Sequence, residues 1–309
     1  MTELAVDSVE LRLRDELVRG DAAIAGARPI LRHLLAHDDL ALFSDETIAR
    51  VRGMVAHIAV QLLFAQGEAE EAGDLADFVA EREDRLAQAL AADAALLGHA
   101  HALTIEAQLA ARLQSNNATD AVLSPLLRDL TGDADADIAA LAMAMLAAQA
   151  RFMQHHRRME LPLGELPGEL FHQILVLHGS WAGANDAAAE AAGQRLRAAF
   201  DEGSGRLGLA TRLIMAIDRQ AGNALAIDHA GLALFATALA MASHQQRDGA
   251  VLSLADLDGT RLVLSLRAAG LTQAEVERQL LQLQPETALP EGFELLPAER
   301  AAALLAAAQ

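Results

Sequence analysis

Apolar residues along this chain recur every three to four positions, the spacing of helix faces, and seldom alternate as strands require. Val9, Leu13 and Leu17 form the first stripe, and Gly20 is the predicted stop. Pro29 opens a second helix with Ile30, Leu31, Leu34 and Leu35 on one face. Ser44 caps a third, whose Ile48, Val51, Val55, Ile58 and Leu62 make an unbroken stripe. The acidic run Gly67–Asp74 reads as a solvated loop. A long helix is expected over Asp84–Leu113, stopped by Ser115, Asn116 and Asn117, and its counterpart is Asp186–Phe200, stopped at Glu202–Gly205. Shorter helices over Val122–Leu130 and Leu209–Ile217 lead into two long apolar stretches, Ile138–Ala150 and Ala230–Ser243. Both stretches read as buried helices too short to span a bilayer. Loops at Leu161–Leu163 and Leu252–Leu254 precede helices ending at Gly179 and Gly270. Thr272 and Glu275 spell a capping box, and Pro297 suits the first turn of a last helix, Ala298–Gln309.

The second half carries a faint duplication. Displaced by about 91 residues, Asp137–Gly179 falls on Asp228–Gly270 with about a dozen identities. In an Ala- and Leu-rich chain the ordered Asp137/Asp228, Gln154/Gln245, Gly168/Gly259 and Gly179/Gly270 matches carry the argument. The expected organisation is an N-terminal helical segment (1–93), two related helical units (94–182 and 183–271) and C-terminal helices (272–309). The fold class is all-α with tandem helical units.

Composition sharpens this. Aromatic residues are only 3% of the chain, and β-branched residues are sparse, so Ala and Leu dominate, the strongest helix formers. Cys, Tyr and Lys are all absent, and every permanent cation is Arg. Thiolate chemistry, disulfides, Schiff bases, a P-loop lysine and a tyrosine acid or base are therefore excluded. His, carboxylates, Arg and a few hydroxyls remain. The formal net charge of −19 repels nucleic acid and anionic membrane surfaces. The acidic Met1–Val18 segment lacks the apolar run of a signal peptide, so a cytoplasmic location is expected.

Several motifs invite chemistry. Asp133, Asp135 and Asp137 open like a calcium loop, but Ile138 stands where glycine is needed and Ala144 where glutamate is needed; helix-start electrostatics explains the acids better. His33 and His37, at i and i+4, could share a metal with His57 or Asp38, yet they lie off the apolar stripe and lack the glutamate of a metalloprotease. Ser180 between Gly179 and Gly183 lacks the Gly two residues upstream that a nucleophile elbow needs; a helix-ending Gly179 with a capping Ser180 suffices. Leu266–Leu280, around Gly270, Leu271 and Thr272, resembles the opening of a bacterial repressor-type helix-turn-helix. The following Leu281–Pro290 offers Gln, Glu and two prolines in place of base-reading residues.

The densest cationic cluster is His155, His156, Arg157 and Arg158, with Trp181 as a possible neighbour. The second unit has Gln246 and Arg247 opposite His155 and His156, so the shared scaffold does not require the cluster. The expected function is a non-enzymatic helical-repeat protein that binds a protein partner or itself, most simply as a homodimer, with no cofactor. The alternative is an α-helical enzyme or small-ligand binder using His and carboxylate chemistry.

Overall fold

The computed structural model describes residues 9–22, 45–117, 119–183, 186–256 and 259–307. Among these residues it is all-helical, with fifteen α-helices and no strand. The helix expected around Ile30–Leu35, its Pro29, and the Ser44 cap lie outside the described residues. The helices are α1 (9–22), α2 (Asp45–Ala69), α3 (Leu75–Ala80), α4 (Glu83–Leu90), α5 (Ala94–Asn117), α6 (Pro125–Thr131), α7 (Ala136–Arg157) and α8 (Gly168–Ala182). They continue with α9 (Ala187–Ala199), α10 (Arg206–Ala216), α11 (Ile227–Ala242), α12 (Arg247–Ser253), α13 (Thr260–Ala268), α14 (Gln273–Leu283) and α15 (Ala298–Ala307).

Two compact units are built from segments distant in sequence. One, Arg28–Thr104 with Ala147–Leu209, is organised by α2. The α2 stripe Val51, Met54, Val55, Ile58, Leu62 and Leu63 is no more than 2% exposed, and α3, α4 and α9 pack on that helix. Leu86, Leu90, Leu97, Phe171 and Ile174 complete the core. Each such fully buried side chain contributes about 1.5–3 kcal/mol by burial. Phe171 stacks on Phe200 at 3.9 Å between ring centres, fixing α8 against the end of α9.

The other unit, Met1–Ala27 with Ile105–Leu146 and Ala210–Gln309, is organised by α11, against which α6, α12, α13 and α14 pack. Ala230–Ala240 is buried throughout. Its Gly231 has φ 69° and ψ 162°, which breaks the helix into a first turn and a main body. A Cβ there would meet the Ser124 Cβ at 2.7 Å, so this position needs glycine both for its backbone and for its space. Arg247 makes a bidentate pair with the buried Glu106, both contacts 2.8 Å, and its Nε donates to Thr237 at 3.0 Å. Burial opposes the guanidinium's charge, but Glu106 outweighs it and holds the arginine ionised.

Four helices end in the same way. After α2, α7, α11 and α13 the chain turns through Glu71 (φ 55°), Met159 (φ 59°), His244 (φ 54°) and Gly270 (φ 90°), each in the left-handed region. In each case the next residue's N–H returns to a carbonyl five residues back: Ala72 to Gly67, Glu160 to His155, Gln245 to Ala240 and Leu271 to Leu266. This is the Schellman stop, and only one of the four uses glycine.

Several expectations need correction. The helix expected over Asp84–Leu113 is two, because Asp93 accepts the Leu96 N–H at 2.8 Å and starts α5 afresh. α1 runs on past Gly20, α8 past Gly179 to Gly183 (φ 117°), and α12 carries the helix into the expected Leu252–Leu254 loop as far as Ser253. The Gly67–Asp74 run is helical as far as Ala69, with Gly67 buried. Ile138–Ala150 is not a buried helix: Met143 is 55% exposed, with Ala140, Ala144 and Ala147 also open, while Ala142, Met145 and Ala148 face inward. By length and composition α2 and α7 are each apolar enough to cross a bilayer, since both helices extend beyond the stretches the pattern marked. The buried α2 stripe accounts for that helix as a core element. The Thr272–Glu275 capping box forms as expected, as does the buried stripe of α1.

Gly231→Ala should destabilise the protein by about 2–4 kcal/mol, combining backbone strain with overpacking against Ser124. The urea unfolding midpoint reads this directly; an unchanged midpoint would mean that Ser124 yields without cost.

Candidate functional site

The stop of α7 gathers the most unusual side chains of the α2 unit. The last turn of α7 carries His155, His156 and Arg157, cations where the helix's unsatisfied carbonyls make them favourable. The chain then reverses at Met159, whose left-handed backbone is pressed against α2. A Cβ on Gly53 would lie 2.6 Å from the Met159 Cβ, so α2 approaches this turn as closely as the backbone permits.

Three α2 side chains tie the turn down. Arg50 Nη1 donates to the His156 carbonyl at 2.8 Å and lies 3.4 Å from His156 Nδ1. The Leu161 N–H donates to His57 Nδ1 at 3.1 Å. Gln61 donates to the Leu161 carbonyl and accepts the Leu163 N–H, both at 2.9 Å. Residues 161–163 are thus clamped at one end of a cleft whose walls include Met54, Leu103, Phe152, Leu161 and Leu207, with His155, His156, Glu160, Glu165 and Arg206 as its polar groups. Its enclosed volume is small, about 20 Å³.

The electrostatics of this cleft are mixed. His155 Nδ1 lies 2.7 Å from Glu160 Oε2, both side chains about a third exposed (33% and 28%). That hydrogen bond holds the Glu160 carboxyl below its ordinary range, helped by the charges of His57, His155 and Arg158 against a smaller opposing effect of burial. Glu165 accepts the Arg206 N–H at 2.8 Å and so caps the start of α10. The Arg206 side chain is buried, its guanidinium 3.8 Å above the Phe152 ring and donating to the Gln149 side-chain oxygen Oε1 at 3.3 Å.

Of the candidates from sequence, His155 and His156 line the cleft, and Arg157 and Arg158 are exposed on the turn beside it. Trp181 does not line it. It sits on α8 and stacks on His178 at 6.3 Å, where His178 Nε2 bonds Gln66 Oε1 at 2.9 Å and Gln66 in turn donates to Asp186 at 3.0 Å. Glu160, Glu165 and Arg206 were not apparent from sequence. Glu160 reaches His155 only because the helix stops between them, and Arg206 arrives from another helix altogether.

The other motifs resolve locally. His33 and His37 lie outside the described residues, and His57 is engaged by the clamped loop. Among the described residues no group of three or more His, Asp or Glu side chains could hold a metal ion. Asp135 accepts the Asp137 and Ile138 N–H groups at 2.9 and 3.4 Å and starts α7. Ser180 donates to the Val176 carbonyl within its own helix. α14 follows α13 through the turn at Gly270, but residues 284–297, where the base-reading helix after the resembled opening would stand, contain only a short 3₁₀ turn, Phe293–Leu295. The chain matches no protein-family model, no curated protein and no solved structure.

Burial pushes the imidazoles of His178 and His101 below the ordinary histidine value, with Asp186 opposing the effect at His178. The folded state therefore holds both neutral while the unfolded chain takes up protons first. Their contribution to stability is whole above about pH 6.5 and is lost as pH falls through that value toward their lowered folded-state values. Urea midpoints at successive pH values should decline over this range. His178→Leu should flatten part of the decline and cost about 1–3 kcal/mol at neutral pH, because Gln66 loses its donor.

Proposed function

We propose that this protein is a non-enzymatic, soluble cytoplasmic protein that binds a protein partner through the basic end of α7. The observation that carries the reading is the pair Arg157 and Arg158. Both are exposed, and neither forms an ion pair among the described residues, on a chain of net charge −19. Two permanently charged forks beside His155 make a local positive patch suited to carboxylates. Complementation of the helix dipole would place cations here without any partner. It does not require two adjacent arginines turned to solvent. We read the 94–182 and 183–271 segments as copies of one helical scaffold, with the His155–Arg158 cluster acquired in the first copy.

A second reading rests on the cleft, where the His155–Glu160 hydrogen bond orients an imidazole as general acid–base sites do. The two readings separate experimentally. A fluorescent Asp/Glu-rich peptide should bind at low salt, and its Asn/Gln counterpart should not. Arg157→Gln with Arg158→Gln should weaken peptide binding by about 5-fold while the melting temperature barely moves, as expected for exposed charge pairs. Equal binding of the acidic and amide peptides, or no effect of the double variant, would end the partner reading at this patch.

A further inference from the structure

The helix α1 sorts its charges by face. Its acids turn toward the unit organised by α11: Glu10 pairs with Arg300 of α15, and Asp21 pairs with Arg261 of α13. Glu16 accepts from the Thr260 hydroxyl at 3.3 Å. Its arginines, Arg12, Arg14 and Arg19, all face solvent. None of the three forms an ion pair among the described residues, and Arg19 donates to the Asp15 carbonyl of its own helix. Two apolar side chains share that outer face, Leu11 at 61% and Val18 at 58% exposed. The core stripe Val9, Leu13 and Leu17 points the other way and is buried, so packing within the unit does not account for them. Leu11, Arg14 and Val18 fall in one row, and Arg12, Asp15 and Arg19 in the next. Acids outnumber permanent cations 43 to 24 in the chain, yet this face sets three cations against one exposed acid, Asp15. Composition alone would give the opposite sign.

We propose that the outer face of α1 is a docking surface for an acidic amphipathic helix of a partner protein. Each guanidinium offers a carboxylate two parallel donors, and inward pairing has taken the α1 acids that would otherwise compete. Leu11 and Val18 stand two turns apart, about 10 Å along the axis, which matches apolar residues at heptad spacing on a facing helix. An extended segment repeats its same-side chains about every 7 Å and would miss one of the two. The net charge of −19 does not govern this contact, since at physiological salt screening confines charge effects to about 8 Å. A flat anionic bilayer fits less well. It would meet more of an acidic protein than this one face, and two apolar side chains supply little area to insert. This surface does not depend on the reading of the α7 end.

The probe is a fluorescein-labelled helical peptide with leucine at every seventh position and glutamate on either side, titrated with the full chain by anisotropy. Replacing its glutamates with glutamine, its leucines with serine, or its central residue with proline should each weaken binding about 10-fold. Arg12→Gln with Arg14→Gln and Arg19→Gln should weaken it by about 10-fold, and Leu11→Ser with Val18→Ser by about 5-fold. Melting temperatures should barely move, because all five side chains are exposed. Arg157→Gln with Arg158→Gln should leave this peptide's affinity unchanged, which separates the α1 surface from the α7 end. Equal binding of the glutamate and glutamine peptides, or unaltered affinity in the α1 variants, would overturn the proposal. So would loss of binding in the Arg157 and Arg158 variant alone, which would assign the peptide to the α7 end. Phosphatidylcholine vesicles with about 30% phosphatidylserine are the bilayer arm, and tighter binding to them than to the peptide would replace the helix with a membrane.

Discussion

The close approach of α2 to the stop of α7 is the contact on which the α2 unit and its site depend. Gly53 leaves no room for a methyl group against Met159, and that proximity brings Arg50, His57 and Gln61 within reach of residues 156–163. A helix stop alone would leave its carbonyls to solvent. Here α2 covers it with one guanidinium, one imidazole and one amide, each bonded to main-chain atoms. The same residues that hold the turn therefore shape the wall and floor of the cleft. Chemistry at His155 and packing of the core stripe are two consequences of one helix's placement.

Arginine carries all of the permanent positive charge in this chain, and its uses differ by burial. Arg247 is drawn inside by a bidentate carboxylate and a hydroxyl, an arrangement that leaves the charge matched where water is absent. Arg206 is also buried, but spreads its planar face over Phe152. Arg157 and Arg158 remain in solvent, where a pair would contribute little to stability. That contrast is why the exposed pair, rather than the buried ones, is the functional candidate. Removing a buried arginine would leave an unmatched carboxylate or a cavity, whereas removing an exposed one changes only the surface.

The helix stops show how local preference yields to tertiary demand. Glycine reaches a left-handed backbone without strain, yet only Gly270 uses that freedom among the four similar stops. Glu71, Met159 and His244 accept the conformation because the returning N–H groups satisfy the helix ends and the flanking helices fix the chain's exit. Conversely Gly20 and Gly179 sit inside helices that continue past them, and Gly53 serves close packing instead of a stop. Glycine in sequence thus marks a possibility that packing resolves.

Residue order alone specifies the all-α class, the buried α1 stripe and the Val51, Val55, Ile58 and Leu62 part of the α2 stripe, because helical spacing of apolar residues is a local property. It also determined the Thr272–Glu275 cap and the cationic character of the α7 end, which depend only on near neighbours in the chain. Packing between distant segments set the remainder. The break at Asp93 cost no apolar periodicity, so no stripe announced it. Glu160 and Arg206 joined His155 across a chain reversal and from another helix. Trp181 was drawn to His178 in a separate cluster. The physical reason is the same throughout: burial and hydrogen bonding act through space, and a chain that doubles back sets distant residues side by side at separations that no local pattern encodes.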